Sequence, residues 1–170
     1  MADEGRSRLK GDELVVRANV ARVRRDRAQQ IDFQGLWFTL ARKRWNSLVL
    51  VPADEGDSAA GIATALADVG RRLRNTPVTF LVMAGSIDYA SAGRFVAAVA
   101  GNSGQDAGGP SSSRVIVAVP SVISEPLALA VTDAADAVAL YVRKGSTRLK
   151  AAARTIELVG RDRIVGCVLG

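Results

Sequence analysis

The sequence predicts an α/β fold, a doubly wound, mostly parallel sheet of at least five strands with helices on both faces. Three observations carry that expectation. Five short runs, at residues 47–51, 78–83, 115–119, 137–142 and 164–169, are nearly continuous in Val, Leu, Ile and Ala, without the polar alternation of a half-exposed strand. Such runs belong to strands covered on both faces. The segments between them carry apolar residues at helical spacing instead. Finally, 170 residues with 48% hydrophobic content suffice to bury one sizeable core.

The elements follow in order. Residues 32–44 carry Phe33, Leu36, Trp37 and Leu40, with Trp45 just beyond, a spacing that suits an amphipathic helix. Its aromatics either pack the helix onto the sheet or, for Trp37 and Phe38, belong to a protein interface, where Trp is favoured. After the first strand, Ile62, Leu66, Val69 and Leu73 form one stripe of a helix over 58–74. Residues 88–100 and 125–133 continue the alternation as helices, the second with Pro126 in its first turn, where a missing N–H costs little. Between them, residues 101–113 are dominated by Gly and Ser with Pro110 and read as a flexible surface loop. Leu149, Ala152, Ile156 and Val159 mark a last helix from about residue 146 to Gly160, a natural C-terminal cap. Right-handed crossovers through these helices place any ligand beyond the carboxyl ends of the strands.

The organisation reads as a basic N-terminal arm, 1–30, followed by one domain, 31–170. Much of the formal charge of +6 is local to the arm, where Arg17, Arg22, Arg24, Arg25 and Arg27 crowd a stretch in which Asp26 is the only acid. This segment is either a solvated helix face or a docking surface for an acidic partner or membrane headgroups. Nucleic acid is disfavoured, because no aromatic residue lies among these arginines to stack on bases. No run is long and apolar enough for a membrane span, and the first twenty residues are too charged for a signal peptide, so a cytoplasmic protein is expected. The single cysteine, Cys167, lies in an apolar segment and is expected to be a buried, inert thiol. With no histidine in the chain, a metal site is not expected.

The loop after the first strand, Ala53-Asp54-Glu55-Gly56-Asp57-Ser58, stands where a phosphate-binding loop belongs. A working loop of that kind aims backbone N–H groups at phosphate, reaches the outer phosphates with a lysine and binds magnesium through a Ser or Thr hydroxyl. Gly56 and Ser58 fit, but Asp57 occupies the lysine position and Asp54 and Glu55 add negative charge. Two unit charges about 4 Å apart interact by roughly 1 kcal/mol in water and roughly 4 at an effective dielectric near 20, and Lys to Asp changes the charge by two units. The carboxylates of Asp54 or Asp57 are themselves candidates to cap the following helix.

The whole order of segments resembles the cytoplasmic kinase domain of bacterial tyrosine kinases (BY-kinases), which control capsule and exopolysaccharide export and belong with the deviant Walker A P-loop ATPases related to MinD and ParA. Members read Pro-Gly-Glu-Gly-Lys-Ser/Thr at the first loop and end the next helix near Gly-Arg/Lys-Arg, as at Gly70-Arg71-Arg72. Ser124-Glu125-Pro126-Leu127 resembles their Ser-Asp-Ala-Leu. Ala135-Asp136-Ala137-Val138 and Val142-Arg143-Lys144-Gly145-Ser146-Thr147 resemble their Ala-Asp-Gly-Val and Val-Arg-x-Gly-x-Thr. Ile164 to Gly170 is similar to their closing strand, with Gly170 in place of an asparagine.

The departures from the family pattern fall on chemistry. Met83-Ala84-Gly85 stands where the resemblance implies Asp-Ala-Asp, and Ala118 stands at the Walker B aspartate. Asp88 is the one nearby carboxylate that could take their place. The charged self-association motif corresponds to Ile31, Gln34 and Trp37, and no C-terminal tyrosine cluster is present. The resemblance thus implies a degenerate, catalytically inactive module without ATP, magnesium or any other cofactor. Its implied place is the inner face of the cell membrane, bound to the membrane polysaccharide co-polymerase or other export machinery, with a homo-oligomer as a further option. An acidic loop and basic arm would engage the partner in place of nucleotide. The alternatives are an active tyrosine kinase or ATPase completed by a partner, and a sensor holding a different ligand in the old pocket.

Overall fold

The computed structural model of this chain describes residues 33–74, 77–85, 87–102 and 113–170. The basic arm with Arg17, Arg22, Arg24, Arg25 and Arg27, the position Ile31, and most of the Gly/Ser-rich segment lie outside the described residues. Helix α1 covers residues 33–41. It is followed by β1 (Ser47–Pro52), α2 (Ala60–Arg74), β2 (Val78–Val82), α3 (Tyr89–Ala100) and β3 (Arg114–Ala118). Then come α4 (Ala128–Ala134), β4 (Ala137–Val142), α5 (Leu149–Val159), a 3₁₀ turn (Arg161–Arg163) and β5 (Ile164–Leu169). The α/β domain comprises Leu36–Gly170.

All five strands are parallel, in the order β2-β3-β1-β4-β5. Every residue of β1 and β3 is buried, as unbroken aliphatic runs demand. Period-two alternation divides their side chains between two cores. Val49 and Val51 of β1, Val115 and Val117 of β3 and Val138 of β4 join Ala92 and Val99 of α3, Val131 of α4 and Val159 of α5. Leu48, Leu50 and Ile116 are fully buried on the opposite face, the side of α1 and α2. The chain leaves β1 in one direction for β2 and returns through β3 to β4 and β5 in the other. The switch therefore lies at the carboxyl ends of β1 and β3, where the crevice of a doubly wound sheet opens.

On the α2 side, Trp37 and Trp45 pack edge to face with centroids 5.9 Å apart. The guanidinium of the buried Arg114 lies 5.2 Å from the ring centre of Trp37 and 4.5 Å from that of Trp45. Trp45 Nε1 donates to the carbonyl of Leu40 (2.9 Å) and fastens the end of α1. Trp37 is fully buried, so it is a core residue and not a surface anchor; of the pair considered for an interface, Phe38 is the one on the surface. Gly70, in the sequence pattern a helix-ending residue, lies inside α2, which runs on to Arg74.

Two helix starts and the burial of one side chain differ from the sequence expectation for visible reasons. Helix α4 begins at Ala128 because residues 125–127 are taken up in tighter turns, with Ala128 and Leu129 N–H donating to the carbonyls of Glu125 and Pro126. Pro126 thus precedes the helix. Helix α5 begins at Leu149 because Arg148 is held extended. Its buried residues are Thr155 and Val159, while Leu149 is 87% exposed, so the predicted stripe is turned partly away from the core. Strand β5 is a sheet edge, and Cys167 is exposed there, not buried as expected; partial enclosure still raises its thiol pKa.

Candidate functional site

The loop at residues 53–59 leaves the carboxyl end of β1 and turns through Gly56, whose φ of 77° is a left-handed conformation that favours glycine. It meets the loop that joins β4 to α5. Asp54, with a side chain only 6% exposed, receives Arg148 in a two-pronged pair: Nη2 to Oδ1 at 2.6 Å and Nε to Oδ2 at 2.9 Å. The backbone N–H of Arg148 also donates to Oδ2 (2.9 Å), and that of Glu55 to Oδ1 (2.8 Å). These bonds, the Arg148 guanidinium first, hold the Asp54 carboxyl well below the usual carboxylate range, against a smaller opposing effect of burial.

Asp57, at the lysine position, turns the same way. Its Oδ1 lies 3.1 Å from Arg143 Nη1, and its Oδ2 accepts from Thr147 Oγ1 at 3.3 Å. Thr147 Oγ1 in turn accepts from the N–H of Arg143 (2.7 Å). From within α5 the loop is tied again, where Thr155 Oγ1 donates to the carbonyl of Ala53 (3.2 Å). Neither aspartate caps α2. The first N–H of α2, that of Ala60, donates instead to Ser58 Oγ at 3.3 Å. Glu55 alone of the three acids is exposed.

The sheet gathers the other motif positions at the same edge. Met83 N–H donates to Ala118, and Val119 N–H to Leu50, which sets the loops after β2 and β3 beside the one after β1. Met83-Ala84-Gly85 and Ala118 bring no acidic side chain there. Asp88 caps α3, accepting the N–H of Ser91 at 2.7 Å; the hydroxyl of Ser91 first, and then this N–H, lower its pKa. Among the described residues no cluster of three His, Cys, Asp or Glu residues could hold a metal ion. No helix among them is long and apolar enough to cross a membrane.

The sequence marks the loop and its acids but not the groups that neutralise them. The arginines that meet them stand about 90 residues away; Arg143 lies within the Val-Arg-x-Gly-x-Thr phrase and Arg148 just beyond it, and neither carries a role in the sequence pattern. Asp136 likewise has only a place in the Ala-Asp-Gly-Val-like phrase of the sequence. Its Oδ2 accepts the backbone N–H groups of Asn46 (2.8 Å) and Ser47 (3.0 Å), and its own N–H donates to Ser47 Oγ (2.9 Å). It clamps the start of β1 to the start of β4.

These features define a doubly wound α/β domain whose switch-point loop is closed by internal ion pairs. Compared with family models, curated proteins and solved structures, the chain matches none.

Proposed function

We propose that this chain is a catalytically inactive relative of the bacterial tyrosine kinases, acting as a protein-binding or regulatory component of exopolysaccharide biosynthesis and export. The observation that supports this reading is the Asp54–Arg148 pair. A triphosphate entering the loop would have to displace a carboxylate already holding both prongs of the guanidinium and a backbone N–H. Three residues on, Asp57 supplies a carboxylate where an outer phosphate needs a cation, and it engages Arg143 as well. The obstacle is therefore occupied side chains as much as the sign of the charge. The partner class, a membrane polysaccharide co-polymerase or its associated machinery, rests on the family resemblance.

Calorimetric titration with ATP and with ADP, each with magnesium, tests the inactive reading, alongside thermal unfolding under the same conditions. No heat and no rise in Tm at millimolar nucleotide is the expected result. Micromolar binding of either nucleotide overturns it in favour of an active ATPase or kinase, or a nucleotide sensor. Co-expression with a membrane polysaccharide co-polymerase, followed by fractionation, tests the partner: the chain is expected in the membrane fraction only when the co-polymerase is present.

A further inference from the structure

Beside β5 the domain carries an open apolar trough of about 590 Å³. Leu140, Val142 and Cys167 form its floor, and Leu149, Ala152 and Ile156 of α5 form its wall. Strand pairing puts Cys167 opposite Leu140 and Leu169 opposite Val142, so both lie on the α5 face of the sheet. Leu169 is 73% exposed and Leu149 87%. A contiguous apolar face of this kind, at a sheet edge, marks an interaction surface.

We propose that the trough is a self-interface, in which α5 of a second copy lies antiparallel to α5 about a two-fold axis near Ala153. The charges on the helix select this occupant. Lys150 and Glu157 are seven residues apart and so stand on one stripe, bordering the apolar one and flanking Ala153 on either side. Antiparallel pairing centred between Ala153 and Arg154 puts Lys150 of each copy opposite Glu157 of the other. An isologous contact requires that self-complementarity, in which residue i meets j and j meets i. Small residues at the crossing, Ala152 and Ala153, allow the helix axes to approach to about 8–10 Å, while Leu149 and Ile156 reach into the partner's trough. Glu157 already pairs with Arg154 of its own helix at 2.8 Å, and Lys150 approaches the same carboxylate from the other copy.

Sedimentation equilibrium of the full chain tests the proposal. The wild type is expected to dimerise, and Lys150→Glu and Glu157→Lys are each expected to weaken the dimer by about ten-fold, because two attractive pairs become repulsive. The double variant K150E/E157K is expected to restore it. All these positions are exposed, so the fold survives, and circular dichroism verifies that it does. In a Cys167→Ser background, Ala153→Cys is expected to give a disulfide-linked dimer on mild oxidation. A chain that stays monomeric to millimolar concentration, or a double variant no better than the single ones, overturns the proposal. The trough would then belong to another occupant, such as a helix of a different protein.

Discussion

Gly70 and Trp37 meet so closely that the glycine has no room for a side chain: a Cβ at Gly70 would fall inside the indole, 2.6 Å from Cζ3 of Trp37. Because Trp37 is fully buried against Trp45 and Arg114, the ring has nowhere to retreat. Gly70→Ala would improve intrinsic helix propensity by about 1 kcal/mol. Overpacking outweighs this, and a net destabilisation of about 1–3 kcal/mol is expected in urea unfolding. A variant as stable as the wild type would refute the contact.

The Asp54–Arg148 pair gives stability a defined pH dependence. The folded carboxyl titrates well below an unfolded aspartate, near 3.9, so its contribution is fully present above that value and disappears as pH falls toward the folded pKa. The difference in urea midpoint between the wild type and Asp54→Asn should be constant from neutral pH to about 5 and close below about 4. A difference that persists unchanged into strong acid would mean that charge plays no part.

Asp136 is expected to matter for stability, not for surface chemistry. Asp136→Ala leaves the N–H groups of the buried Asn46 and Ser47 without their acceptor, at a cost of about 1–3 kcal/mol. Asp136→Asn keeps an acceptor oxygen and should recover part of the loss. Chemical denaturation of the three proteins decides, and equal stability of the alanine variant would exclude the clamp.

The two tryptophans of the chain, Trp37 and Trp45, are both fully buried. Native fluorescence should be blue-shifted relative to the denatured protein and resistant to iodide quenching. Trp37→Phe and Trp45→Phe should each leave a spectrum of the same character. A red-shifted, readily quenched component would place one ring in water.

Strand positions were legible because apolar content alone fixes them: β4 and β5 span the very residues that the runs delimit, and β1 differs only by Pro52. Gly160 was legible as a cap because its φ of 88° is a backbone requirement that glycine announces. Arg148 was not legible, since the partner that holds it extended and delays α5 is distant in sequence. Cys167 and Leu149 misled for a related reason. Their apolar neighbours signal a core, yet exposure depends on whether anything lies beyond the edge strand, and local spacing carries no word of that. The acids of the loop after β1 were read correctly as residues and incompletely as a site, because their neutralising arginines arrive only through the fold.

The strand order has a consequence for how the chain comes to be folded. Among the described strands the first made is the central one, and its neighbours β3 and β4 follow only after α2, β2 and α3 have been added. Ser47 finds Asp136, 89 positions further along the chain. A ribosome must therefore release most of the domain before β1 can be paired on either side, and each parallel pairing closes a long loop first. Until then an unbroken aliphatic strand waits exposed, so nascent chains arrested before β3 should depend on chaperones to stay unaggregated, and those arrested after β4 should not.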